Sequence, residues 1–250
     1  MQGTATDERH ARQAALPGFS EAAQQRLARA TVAVVGAGGL GCPALAYLAG
    51  AGVGRLRIID PDAVDLTNLG RQVIYREDRI GQPKAAEAAA WVESLNSGVA
   101  ARAEVARVAR GNADRLLADA DLVVDCSDNF ATKYLVNDYC LSRGVPYVWA
   151  AVDAYEGRVG SIRSRQGPCL RCLFGPPESL TDLAQPGICA VASAYGPACG
   201  LAGSMQASEA IKLLTGLGRP LSGAVACMDL LNGRMDVIEL RRDPDCQWCD

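Results

Sequence analysis

The sequence predicts an open α/β sheet, parallel in its first half and extended by antiparallel strands toward the C-terminus. Three observations carry this. Apolar runs of strand length alternate with helical segments from residue 31 to about residue 150. A glycine turn, Gly36-Ala-Gly-Gly-Leu-Gly41, joins the first such strand to the first such helix. Beyond residue 151 the rhythm changes, and Gly157-Arg-Val-Gly-Ser-Ile-Arg163 alternates as an antiparallel strand does.

The elements follow in order. Residues 1–30 read as an N-terminal helical arm whose first ten residues are polar. Strand 31–36, helix 38–50, strand 55–60, helix 83–95, strand 101–106, helix 111–118, strand 121–126 and helix 130–142 form the nucleotide-binding half, 31–150. Pro146-Tyr-Val-Trp-Ala-Ala151 adds a further strand. Residues 151–250 form the second half: a strand at 157–163, a proline-rich loop at about 175–190, a small-residue helix at 197–215 and strands near 223–229 and 233–241. No low-complexity linker and no internal repeat divides the chain, so one continuous unit is expected over 1–250.

The glycine turn is the arrangement that holds a nucleotide. Gly36 permits the tight turn, Gly38 lets backbone approach a phosphate, and Gly41 lets the helix pack close to the strand. The N–H groups of the helix start then face the anion. Asp60 ends the next apolar run, where the Rossmann-like fingerprint places an acid for a ribose hydroxyl. A nicotinamide cofactor needs little more. A triphosphate carries more charge and calls for cations around it. Arg71 and Lys84 are candidates; the alternative is that both are solvated surface charges. Lys84 stands out in a chain with only three lysines (84, 133 and 212) that otherwise uses arginine.

Asp128 lies just past the carboxyl end of the run Leu122-Val-Val-Asp-Cys126, where open sheets bind ligands. It suits magnesium, a hard cation that takes oxygen ligands. The competing reading is a helix N-cap supplied by Ser127, Asp128 or Asn129. The pairs Cys169/Cys172 and Cys246/Cys249 each have a spacing that bites one metal, although their separation exceeds that of a zinc ribbon. A redox pair or an incidental pair stands as the alternative. Cys42, Cys126, Cys140, Cys199 and Cys227 fall in apolar runs or helix interiors and read as buried spectators. Cys189 follows the loop Leu180-Thr-Asp-Leu-Ala-Gln-Pro-Gly-Ile188 and reads as exposed. The formal charge of −3 gives no case for nucleic acid or an anionic membrane as main partner. With no apolar signal region and no run near twenty apolar residues, a cytoplasmic protein is expected.

The ordered set Gly-x-Gly-Gly-Leu-Gly, Asp60-Pro-Asp62, Asn68-Leu-Gly-Arg71-Gln72, Gly81-Gln-Pro-Lys84, Asp125-Cys-Ser-Asp128-Asn129 and Cys169-Leu-Arg-Cys172 resembles the MoeB/ThiF-type adenylyltransferases, relatives of the ubiquitin-activating enzymes. The resemblance runs from Arg9-His-Ala-Arg12-Gln13 to Cys246-Gln-Trp-Cys249. It implies ATP-dependent adenylylation of the C-terminal glycine carboxylate of a small ubiquitin-like sulfur carrier, MoaD- or ThiS-like and ending in Gly-Gly, with release of pyrophosphate. By the same resemblance, Gly36, Gly38, Gly39 and Gly41 approach the nucleotide and Asp60 holds the ribose. Asn68, Arg71, Gln72, Lys84 and Asn129 surround ATP, Asp128 binds Mg2+, and the four paired cysteines hold structural Zn2+. Arg12 would reach the phosphates of a neighbouring subunit, so a homodimer is implied. Cys189 falls where relatives place a loop cysteine able to bond the activated carrier. The pattern departs at His10, where relatives often carry an aromatic. No rhodanese-like stretch follows Cys249, so a separate sulfur donor is expected. Three alternatives stay open: a nicotinamide oxidoreductase, a non-catalytic subunit that keeps the fold, and a relative that adenylates a tRNA base or a peptide.

Overall fold

A computed structural model describes residues 5–163, 167–175 and 193–249. Eight strands form one sheet in the order β3-β2-β1-β4-β5-β6-β7-β8. Strands β1 (Thr31–Val35), β2 (Arg55–Ile59), β3 (Ala100–Glu104), β4 (Leu122–Asp125) and β5 (Tyr147–Asp153) run parallel. Strands β6 (Glu156–Ile162), β7 (Ala224–Asp229) and β8 (Arg234–Glu239) continue from β5 in antiparallel pairing. The expected switch from parallel to antiparallel is therefore found, and β5 is the strand on which it happens.

Period-2 alternation divides the strand residues between two cores. Val32, Val34, Leu56, Ile58 and Val148 face one layer with α2 (Glu21–Arg29), α3 (Gly41–Ala51), α4 (Lys84–Leu95) and α8 (Gly196–Thr215). Ala33, Val35, Ile59, Val123 and Trp149 face the other, with α5 (Ala113–Leu117), α6 (Phe130–Arg143) and α7 (Leu170–Phe174). The small residues of α8 have a packing reason: a Cβ on Gly203 would overlap the carbonyl oxygen of Leu40 and the ring of Pro43. Helix α8 thus lies directly on the start of α3.

Several boundaries move. The helix expected from residue 38 begins at Gly41, because 36–40 form the turn and the first helical bond runs from Cys42 N–H to Gly38 O (2.9 Å). The helix expected at 111–118 shrinks to Ala113–Leu117: the side chain of Asn112 accepts from Ala109 N–H and donates to Arg107 O, using the residues that would have extended it. Strand β5 runs on to Asp153, and β8 is shorter than 233–241. The arm contains α1 (Ala5–Ala14) and α2, with Ser20 capping α2 through Ala23 N–H. Most of the proline-rich loop, 176–192, lies outside the described residues.

Candidate functional site

A cavity of about 470 Å³ opens past the carboxyl ends of β1, β2 and β4. It sits where chain direction across the sheet reverses, between β1 and β4, the position at which open α/β sheets bind ligands. The glycine turn forms one wall. Gly36 has φ +95°, and a Cβ there would lie 2.7 Å from the carbonyl oxygen of Cys126. A Cβ on Gly41 would overlap the carbonyl oxygen of Gly36. Gly36, Gly38 and Gly39 line the cavity; Gly41 does not, and its part is to let α3 start against the turn.

The turn is tied down from two sides. Asp60 is 5% exposed; its carboxylate accepts from Ala37 N–H (2.7 Å) and Asp62 N–H (2.8 Å). Burial pushes its pKa up, while these two bonds and Lys84 pull it back. Tyr75 Oη donates to Ala37 O at 2.7 Å. Asp60 thus organises the turn as well as lining the cavity.

Cations and acids converge around this turn. Lys84, the first residue of α4, is 6% exposed, with Nζ 3.4 Å from Asp62 Oδ2. Arg71 is half-buried, its stem against Gly39 and its Nη1 donating to Thr67 O (3.2 Å). Lys84 is thus buried rather than a solvated surface charge, while Arg71 is only partly withdrawn from solvent. Asn68 and Gln72 also line the cavity, and the buried Oε1 of Gln72 has no hydrogen-bond partner. An orphaned acceptor there, beside a glycine turn at the cavity wall, fits a polar ligand such as a nucleotide.

The helix cap expected from Ser127, Asp128 or Asn129 is present. Asn129, not Asp128, caps α6: its Oδ1 accepts from Thr132 N–H at 2.9 Å. Asp128 stays exposed at the cavity, a hard oxygen donor that suits magnesium. Arg12 is exposed in the last turn of α1 and is not among the cavity residues of this chain. His10 is buried against Gly52, with neither ring nitrogen hydrogen-bonded. Cys189 lies outside the described residues.

Two residues at the cavity escaped sequence reasoning. Lys133 is 1% exposed, with Nζ donating to Ala150 O (2.6 Å) and lying 3.5 Å from the fully buried Asp125 carboxylate. Its rarity among the three lysines was the available signal. Cys199, expected to be a spectator, lines the cavity, and a Cβ on Gly39 would come within 3.0 Å of its Sγ. Cys42, Cys126 and Cys140 are buried as expected, and burial pushes the Cys42 thiol up to about 12. Cys227 is only half-buried.

The two Cys-x-x-Cys pairs meet on the other face of the sheet. The four Sγ atoms lie within 4.8 Å of one another, with separations of 4.0 Å (Cys169–Cys172), 3.8 Å (Cys169–Cys246) and 3.5 Å (Cys172–Cys249). Four thiolates about 2.3 Å from a tetrahedral zinc are about 3.8 Å apart, so the residues fit the metal. Arg171 reinforces the junction: it pairs with Asp138 at 2.7 Å and stacks over Trp248 at 4.3 Å.

The model of the family described as ThiF matches residues 10–248. The chain is 41% identical over 247 residues to a sulfur carrier protein adenylyltransferase of Thermus thermophilus, covering 97% of this chain and 90% of that one. It is 41% identical over 242 residues to the SAMP-activating enzyme E1 of Haloferax volcanii, covering 97% and 88%. It is 43% identical over 245 residues to the adenylyltransferase and sulfurtransferase MOCS3 of Mus musculus, covering 96% of this chain and 52% of that protein. Among solved structures, E. coli MccB with ATP superposes with a TM-score of 0.80 at 23% identity, over 92% of this chain and 69% of that one. That likeness shows the fold. Among the described residues no helix is long and apolar enough to cross a membrane.

Proposed function

The chain belongs to the ThiF family, and on that premise we propose that it transfers AMP from ATP to the C-terminal carboxylate of a small ubiquitin-like sulfur carrier. The observation that carries this reading is the convergence of Lys84, Arg71 and Asp128 on the cavity beside the glycine turn. A nicotinamide enzyme would use the turn and Asp60 but leave those three without a common purpose.

In the proposed reaction a carboxylate oxygen of the carrier forms a bond to the α-phosphorus. The bond from that phosphorus to the bridging oxygen breaks, and pyrophosphate leaves with the electron pair. The product is a mixed anhydride, an acyl group with a good leaving group. The protein needs only to position reactants and neutralise charge. Lys84 and Arg71 offset the charge on the departing phosphates, and Asn68, Gln72 and Asn129 supply hydrogen bonds around the nucleotide. Asp60 takes the ribose while bracing the turn. Asp128 would hold magnesium, which supplies further charge neutralisation when bound. The four cysteines would hold zinc as a structural centre.

In the proposed division of labour, residues 31–150 bind the nucleotide and 151–250 receive the carrier, within one adenylation unit. In this reading the cytoplasm supplies the ATP. A thermal-shift titration tests the nucleotide assignment. ATP with magnesium should raise the melting temperature by several degrees, since a ligand at 100 times its Kd adds about 2.7 kcal/mol. A shift with NAD(H) and none with ATP would favour an oxidoreductase.

Two further expectations arise here. In this reading the exposed Arg12 acts on the phosphates of a neighbouring subunit, so the protein should sediment as a twofold dimer, the commonest closed assembly. Mixing Arg12→Ala with a Lys84→Ala variant should restore part of the activity that each lacks alone. A fully active monomer would remove the role of Arg12. Cys189→Ser should leave pyrophosphate exchange unchanged but abolish any covalent adduct with the carrier under non-reducing conditions. An adduct persisting in that variant would make Cys189 a spectator.

A further inference from the structure

The parallel ladder between β4 and β5 ends at the pair Asp125–Trp149, and beyond it the two strands part. Residues 126–129 turn along the nucleotide side of the cavity, past Asp128. Strand β5 runs on through 151–153, which line the opposite wall and pair only with β6. The ammonium of Lys133 sits at that fork. It donates to the carbonyl of Ala150, the first β5 residue past the ladder, and faces the Asp125 carboxylate at the end of β4. Asp125 Oδ1 accepts from Ser127 N–H (2.9 Å) and Ser127 Oγ (2.6 Å), so the same carboxylate shapes the loop that carries Asp128. Asp125 Oδ2 has no hydrogen-bond partner, and Lys133 is the cation that offsets its charge.

We propose that Lys133 is a positioning residue that rivets the two walls of the cavity together. It would hold the nucleotide side (126–129) in register with the acceptor side (151–153). The inference rests on the adenylylation reading for its consequence, but its geometric content does not. A residue that only fills the core would affect stability and every kinetic parameter alike. A rivet between two substrate-bearing walls instead governs the step that needs both substrates aligned, while either wall alone still binds.

Two variants separate these cases. Lys133→Met leaves Asp125 buried without its partner, and its melting temperature should fall by roughly 5–10 °C. The paired change Asp125→Asn with Lys133→Met buries no charge and keeps an acceptor for Ser127, so its melting temperature should return to within a few degrees of the wild type. Three measurements are then made on the double variant. Calorimetry with ATP and magnesium should give an affinity within about threefold of wild type. Carrier-dependent ATP–pyrophosphate exchange should lose about thirtyfold or more in turnover with the KM for ATP unchanged, because small misalignments of reactants cost rates of that order. Amide hydrogen exchange at 151–153 should quicken while β1 and β2 stay protected. Wild-type exchange at 151–153 together with wild-type turnover would overturn the proposal. So would a uniform loss of stability, ATP affinity and turnover. If the wild-type protein itself shows no carrier-dependent exchange, adenylylation fails as the reading. Hydrogen exchange at 151–153 then decides Lys133 alone: quickened supports the rivet, unchanged overturns it.

Discussion

Replacing Asp128 or Lys84 with alanine should lower ATP–pyrophosphate exchange by a factor of about 10² or more, the usual effect of removing one preorganised electrostatic group from such a centre. The reasons differ between the two. Lys84 is buried at the start of α4 beside Asp62, so its ammonium cannot swing away and acts as a fixed charge at the cavity. Asp128 is exposed and takes no part in capping α6, so its removal should leave the fold and melting temperature nearly unchanged. Its loss should also weaken the dependence of exchange on magnesium. Wild-type exchange in both variants would remove these residues from the reaction. Asp60→Ala should behave differently, because the carboxylate also accepts from the turn's backbone. Loss of both nucleotide affinity and stability is expected there.

The second large effect concerns the thiol cluster. Metal analysis should return about one zinc per chain, and Cys169→Ser with Cys246→Ser should bring it near zero. The melting temperature should then fall by about 10 °C or more, because metal binding free energy in a structural site is folding free energy. The tail should not detach completely, since Arg171 still pairs with Asp138 and stacks on Trp248. A protein with all four thiols freely titrating and no bound metal would refute the centre.

How far the sequence could be read depended on how local each cause was. The glycine turn was legible because its reasons are steric and lie within a few residues: the positive φ of Gly36 and the packing of Gly41 against the Gly36 carbonyl. The alternating pattern at 157–163 disclosed an antiparallel strand for the same reason. The two cysteine pairs were each visible, but nothing in their spacing says that one tail crosses a sheet face to meet the other; the resemblance implied it. Residues 66–80 carried motif residues but no periodicity, and they form two 3₁₀ turns, Leu66–Asn68 and Glu77–Arg79. Lys133 was passed over because its partners belong to β4 and β5, and only the sheet order brings them together. Helix α8 is a similar case. Gln206 donates to Asp125 O at 2.7 Å and Cys199 reaches Gly39, contacts that depend on a helix folded back over the first half.

The most direct test of the central claim is exchange of labelled pyrophosphate into ATP, measured with magnesium and a ubiquitin-like carrier ending in Gly-Gly. The account predicts exchange that requires the carrier, vanishes when its terminal glycine is removed, and falls about 10²-fold or more in Lys84→Ala. Exchange that ignores the carrier's terminus, or none in the wild type while ATP and carrier both bind, would contradict it.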